Sequence, residues 1–409
     1  MRDETVHIHL LLMLVGGLVA LSILIKPLCQ RLGIPALVAF LAIGLGVRGA
    51  DQAWPFFSDT GEEIFDFLAK LGIIVILFRT GMECDLRGLL KHLRGASFIW
   101  IGNMVVSAAA GYIATRYALG LATIPSLVVA TAMTATSVGM TVPLWQQAGA
   151  LDKDAGQQFV DVAELDDITG VVLMALLFAV LPILRDNGEG TLAATLAYEV
   201  GRFALAVVLF GAACLLFSIY AEQPVSRFVR RFEPKPNDML VVAGIGIVIA
   251  AMAGLLGFSA AIGAFFAGLV FSGDPKRVDF DASFSAIYEM FAPFFFIGIG
   301  MTIAPDALTG AVSTGLVLLV AAVLGKVIGA GVFAIVPCPS LMCALTLGVS
   351  MVPRAEITMI IMHKGHNLGA SVVPDTVFSG MVLVSALTCG ITPFVLRPMI
   401  HRFTAGDAP

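Results

Sequence analysis

Phe159-Val160-Asp161-Val162-Ala163-Glu164-Leu165-Asp166-Asp167-Ile168-Thr169-Gly170 runs straight on into Val171-Val172-Leu173-Met174-Ala175-Leu176-Leu177. Carboxylates thus enter an apolar run long enough to cross a bilayer, which takes about 20 residues. The pattern predicts a helix over 157–184. Asp166 and Asp167 then lie about ten residues inside it, roughly 15 Å at 1.5 Å per residue, near the middle of a membrane. Ionisable groups at that depth are costly and mark function. Neighbouring helical positions point about 100° apart, so the two aspartates can serve different partners. Two readings stand for the pair: a site for a cation and a proton, or a structural ion pair. Asp161, Glu164 and Asp167 recur at intervals of three and tend to one face. They read either as an acidic funnel or as a solvated helix end.

The rest of the chain agrees with a lipid setting. Of 409 residues, 58% are hydrophobic and only 13% charged, with mean hydropathy +0.95. Soluble domains carry about 25% charged residues, so too little polar material is present to cover a water-facing surface. The net charge of -5 and the scattered basic residues exclude nucleic acid as a partner. The six cysteines form no CxxC pair and read as small buried hydrophobes. The first apolar run is followed by Lys26-Pro27-Leu28-Cys29-Gln30-Arg31 rather than a small-residue cleavage site, and reads as a retained membrane helix.

Apolar runs of spanning length predict an all-α polytopic membrane protein of about 13 transmembrane helices. They centre on 7–25, 35–50, 63–82, 96–118, 123–147, 157–184, 193–220, 238–256, 259–273, 283–304, 309–337, 340–363 and 371–397. Merging the eighth and ninth would leave 12. With the N-terminus outside, the cytoplasmic links and tail hold Lys26, Arg31, Arg87, Lys91, Arg94, Lys153, Arg227, Arg230, Arg231, Lys235, Lys276, Arg277, Arg397 and Arg402. The outer links hold only Arg2, Arg48, Arg116, Arg185 and Lys364. This bias places the C-terminus in the cytoplasm. Counting yields two inverted six-helix repeats: 1–192 (spans 1–6) and 238–409 (spans 8–13). Residues 193–237 supply a linker helix and a cytoplasmic loop between them, a common transporter plan. No soluble domain is expected after the last span.

The fifth span carries Thr131-Ala132-Met133-Thr134-Ala135-Thr136-Ser137-Val138-Gly139-Met140-Thr141. So many hydroxyls and small residues read either as a broken helix, exposing carbonyls to an ion, or as a close-packing face. Val352-Pro353-Arg354-Ala355-Glu356-Ile357-Thr358 in the twelfth span reads as a second break, at the matching place in the second half. Arg354 and Glu356 are expected to steady the half-helix ends there rather than bind the ion. Lys326 in the eleventh span either needs a carboxylate, for which Asp166 is the candidate, or snorkels to an interface, for which it sits rather centrally. Arg79 near the end of span three snorkels or pairs with Glu83. The histidines sit at span ends or in links, without HExxH, which gives a metal enzyme no support. No Walker-type loop is present, so ATP is not the energy source. An intramembrane aspartyl protease would place its aspartates on separate helices with a GxGD motif, and neither is seen.

These residues resemble the second family of monovalent cation:proton antiporters, which includes bacterial sodium/proton antiporters and glutathione-gated potassium efflux systems. The likeness rests on Arg31-Leu32-Gly33-Ile34-Pro35-Ala36-Leu37-Val38, Gly81-Met82-Glu83-Cys84-Asp85-Leu86, Thr134-Ala135-Thr136-Ser137-Val138-Gly139, Gly257 through Gly268 and Phe294 through Met301. It covers nearly the whole chain. The resemblance implies an elevator-type fold with core and dimer domains, broken crossing helices and a homodimer in the bacterial inner (plasma) membrane. It implies that Asp167 is the essential ion- and proton-carrying carboxylate and that Asp166 pairs with Lys326. Double aspartate plus lysine is similar to the electrogenic sodium branch. The potassium efflux branch commonly has glutamine before one aspartate, with a nucleotide-binding tail. Arg79, where the family has an apolar residue, and Ala355, where the sodium branch commonly has glycine, depart from the pattern.

The expectation is a secondary transporter, not an enzyme, that exchanges Na+, or else K+ or Li+, for protons by competition at Asp167. No cofactor is expected. Thr136 and Ser137 would complete the oxygen shell of the cation with Asp167 and Asp166, and Thr134, Asp161, Glu164, Arg354 and Glu356 would support it. The alternatives are a sodium-coupled organic anion symporter of related fold and a gated potassium efflux pathway.

Overall fold

A computed structural model describes residues 2–32, 35–54, 57–83, 86–151, 153–185, 238–255, 259–272, 282–303, 308–338 and 340–406, with scattered positions between 198 and 216. These residues are helical apart from short connections. In chain order the helices are α1 (Arg2–Leu32), α2 (Ala36–Ala53), α3 (Asp59–Glu83), α4 (Leu86–Ile113), α5 (Thr123–Thr134), α6 (Val138–Gln147) and α7 (Asp154–Arg185). Then follow α8 (Asp238–Leu255), α9 (Ala260–Phe271), α10 (Ala282–Thr302), α11 (Leu308–Ala334), α12 (Leu341–Ser350), α13 (Glu356–Asn367) and α14 (Asp375–Gly406). The expected seventh span, the linker and the basic loop within 193–237 fall almost wholly outside the described residues.

Among the described residues, 7 helices are long and apolar enough to cross a membrane unbroken. Shorter apolar helices include α5, α8, α9 and α12. Two pairs, α5 with α6 and α12 with α13, divide what hydropathy presents as one span each. The expected eighth and ninth spans are separate helices that pack on each other. Helix α7 begins at Asp154, three residues before its expected start. Asp166 is therefore about 18 Å along the helix rather than 15 Å.

The chain forms two compact units. The first comprises Met1–Ile23, Pro55–Arg87 and Val171–Gly298. In it α3 and α9 cross in backbone contact: a Cβ on Gly81 would overlap the Phe265 carbonyl, and one on Gly268 the Phe78 carbonyl. Lipid tails give helices no hydrophobic reason to associate, so small residues at such crossings bring backbones close enough for dispersion to hold them. Phe78 fills the space beside this crossing, with ring centroids 5.8 Å from Phe284 and 6.2 Å from Phe271. Arg79 lies nearby, its Nε 2.7 Å from Glu83 Oε1 and its guanidinium 4.4 Å over the Tyr288 ring.

The second unit comprises Leu24–Trp54, Gly88–Gly170 and Ile299–Pro409. Both broken helices, the acidic half of α7 and Lys326 belong to it. Trp145 of α6 stacks on Phe159 of α7 (5.7 Å between centroids) and donates to Ser350 Oγ of α12 at 3.0 Å. Gly325 and Gly329 of α11 flank Lys326. A Cβ on either would press against the α4 backbone, at Ser107 Cα (3.1 Å) or Asn103 Cα (3.0 Å). The lysine's own helical turn is thereby held close to α4.

Candidate functional site

Helix α5 ends at Thr134 and α6 resumes at Val138. The hydroxyl-rich stretch of the fifth span is thus a break. An α-helix leaves its last four carbonyls without backbone partners. Where such carbonyls are buried away from water, side chains must take them. Thr134 Oγ1 donates to Thr131 O at 2.8 Å. Thr358 Oγ1 donates to Ala132 O at 3.0 Å. Arg354 Nη1 donates to Met133 O, and to Ala135 O at 3.0 Å. Lys326 Nζ donates to Thr134 O at 2.6 Å. Cationic groups thus sit on the negative end of the half-helix, where its dipole favours them.

The second break has a covalent cause. Pro353 has no N–H and pushes Val352 out of helical backbone geometry. Helix α12 stops at Ser350 and α13 starts at Glu356. The two breaks touch directly, Ser137 N–H donating to Pro353 O at 2.8 Å. Ser137 precedes α6 as its N-cap, yet its hydroxyl makes no cap hydrogen bond. It donates instead to Glu356 Oε2 at 2.9 Å. Glu356 lies in the first turn of α13 and reaches the start of α6, so one carboxylate serves two positive helix ends. Arg354 is fully buried. Besides the α5 carbonyls it reaches Ala322 O of α11 at 3.4 Å, and its backbone N–H donates to Thr388 Oγ1 of α14 at 3.3 Å.

At this crossing lies the ion pair of Lys326 Nζ and Asp166 Oδ2, 2.7 Å apart. The lysine is 0% exposed and Asp166 2%, so Lys326 does not snorkel. Asp166 Oδ2 also accepts from Thr136 Oγ1 at 2.8 Å and Asn103 Nδ2 at 2.6 Å. Asp167, on the next position of α7, is 8% exposed. Asp161 is also buried, which does not fit a solvated helix end, and Glu164 is half-buried.

The structure therefore gathers Asp166, Lys326, Thr134, Thr136 and Arg354 into one bonded network, with Ser137 joined to Glu356 beside it. Asp161, Glu164 and Asp167 follow along the same helix. Sequence reasoning missed Asn103. Its signal was faint: an uncharged amide in Trp100-Ile101-Gly102-Asn103-Met104-Val105, an otherwise apolar run.

A profile described as "sodium/hydrogen exchanger, transmembrane" matches residues 17–402. A high-affinity Na+/H+ antiporter of Synechocystis sp. is 26% identical over 412 residues, covering 97% of this chain and 85% of its own. A Na+/H+-K+ antiporter of Bacillus cereus is 27% identical over 381 residues, 93% of each. Among solved structures, the sodium proton antiporter of Methanocaldococcus jannaschii superposes with TM-score 0.69 at 13% identity, over 98% of this chain and 99% of that one. That likeness speaks for the fold, and the profile match for the family. The chain is a multi-pass helical membrane transporter that belongs to the sodium/hydrogen exchangers, within the monovalent cation:proton antiporters.

Proposed function

We propose that this protein exchanges Na+ for protons by competition at Asp167, with Asp166 and Lys326 forming a second, coupled carrier of charge. The observation that carries this is the buried Lys326–Asp166 pair, 2.7 Å apart, set between two helix breaks and directly beside a second carboxylate. Holding an ionised carboxylate in low dielectric is costly unless its charge is balanced. Asp167 therefore takes a proton or a cation and releases one to bind the other. Oxygens of Asp166, Thr136 and Ser137 complete the shell of the bound cation, which suits a hard alkali ion. Thr134 supports them through its carbonyl, which holds Lys326, and Asp161 and Glu164 line the approach. Arg354 and Glu356 balance the helix ends and leave ion binding to the others.

Lys326 neutralises Asp166 while the cation is absent. When the cation draws Asp166 away, the lysine is left buried without its counter-charge and gives up its proton. Each cycle then moves two protons per cation and is electrogenic. Only loaded forms cross, by an elevator movement of a core domain against a homodimer interface in the inner membrane, N-terminus outside and C-terminus cytoplasmic. Inverted repeats 1–192 and 238–409 about a 193–237 linker supply the alternating symmetry.

Proton flux from proteoliposomes challenged in turn with Na+, Li+ and K+ at several pH values tests this reading. Competition requires Na+ to drive flux with an apparent KM that rises as pH falls. Flux indifferent to the pH gradient would indicate a gated pathway instead.

A further inference from the structure

Asp166 is bonded on one side only. Its Oδ2 accepts three hydrogen bonds, from Lys326, Thr136 and Asn103. Its Oδ1 is buried and, among the described residues, has no hydrogen-bond partner. Asn103 repeats the asymmetry: Nδ2 is spent on Asp166 while Oδ1 is buried without a partner. Buried acceptors are rarely left in this state, and each case calls for a cause. Asn103 is 0% exposed and rides on α4, pinned to the Lys326 turn of α11 through Gly325 and Gly329. Its amide is thus fixed from outside both broken helices.

We propose that Asn103 is a positioning residue for the exchange, holding the Asp166 carboxylate by Oδ2 so that its unpartnered Oδ1 is presented to the cation. The inference rests on the function proposed above. The charged groups acting on this pair are Lys326 from α11, Arg354 from the second break and Asp167 on α7 itself. Lys326 divides its ammonium between Asp166 and the Thr134 carbonyl. Thr136 belongs to the break, and its hydroxyl also lies 3.4 Å from Met351 O. Asn103 supplies a neutral N–H that cannot titrate and has no competing acceptor among the described residues. It holds Oδ2 in place and leaves Oδ1 to meet the cation.

The test is sodium-driven proton flux against Na+ concentration at one fixed pH in proteoliposomes for the native protein, Asn103→Leu, Ser107→Ala and Asp167→Asn. Loss of the amide lets the carboxylate turn, so the cation meets a misplaced oxygen. The apparent KM for Na+ should rise about tenfold, the size of one hydrogen bond to a charged group, with the maximal flux little changed. Ser107→Ala, one turn along α4 and with no hydrogen bond to Asp166 among the described residues, should keep the native KM. Asn103→Ala carries the same expectation and serves if the leucine variant does not fold. A native KM in Asn103→Leu or Asn103→Ala, with at most lower maximal flux, overturns the proposal, as does an equal rise in Ser107→Ala. Native flux from Asp167→Asn would instead overturn the function on which it rests.

Discussion

Lys326 Nζ lies 2.7 Å from Asp166 Oδ2 and 2.6 Å from the Thr134 carbonyl, so one ammonium closes an ion pair and caps a broken helix. Any change of charge at Lys326 would therefore be felt at the end of α5. Lys326→Gln keeps a donor for both acceptors but carries no titrating proton. Charge moved per cation should fall, and current from liposomes on solid-supported membranes should drop more than isotope-measured Na+ exchange. An unaltered charge per cycle would remove the lysine from the proton count.

Arg354 holds carbonyls of Met133, Ala135 and Ala322 together and is fully buried. Arg354→Ala strands the Met133 and Ala135 carbonyls and removes one of the two cations at the α5 end, leaving Lys326. Breaking such a buried network costs about 3–5 kcal/mol, and thermal unfolding in detergent should show a large fall in Tm. Arg354→Lys restores a point charge but not the fork that reaches several carbonyls. It should recover only part of the loss.

Gly81 and Gly268 meet backbone to backbone. Gly81→Ala forces α3 and α9 apart, and overpacking of this kind costs about 1–3 kcal/mol. Tm should fall while the pH profile of residual exchange stays native, because the site residues lie on other helices. A shifted profile would mean that this crossing also tunes the site.

Much of this was legible in the residues themselves. Apolar runs declare the spans, since lipid admits little else. Carboxylates at 161–167 and the lone Lys326 announce a buried polar cluster, because charge inside a membrane demands a partner. Pro353 declares the second break through its missing N–H. The first break was less plain: hydroxyls and small residues from Thr131 to Thr141 suit a tight helix face equally well. The choice was made by partners more than 190 positions away, Lys326, Arg354 and Thr358, which cap the α5 carbonyls. Asn103 was hidden for the same reason. One amide in an apolar run has no periodicity, and its meaning comes only from Asp166 of α7, 63 positions away in the chain.

Sodium-driven proton flux through Asp167→Asn, compared with native protein in the same proteoliposomes, tests the central claim most directly. Asparagine keeps the size but can neither bind a proton nor neutralise a cation, so flux should vanish while Tm stays close to native. Persistence of the native flux in that variant would contradict exchange by competition at Asp167.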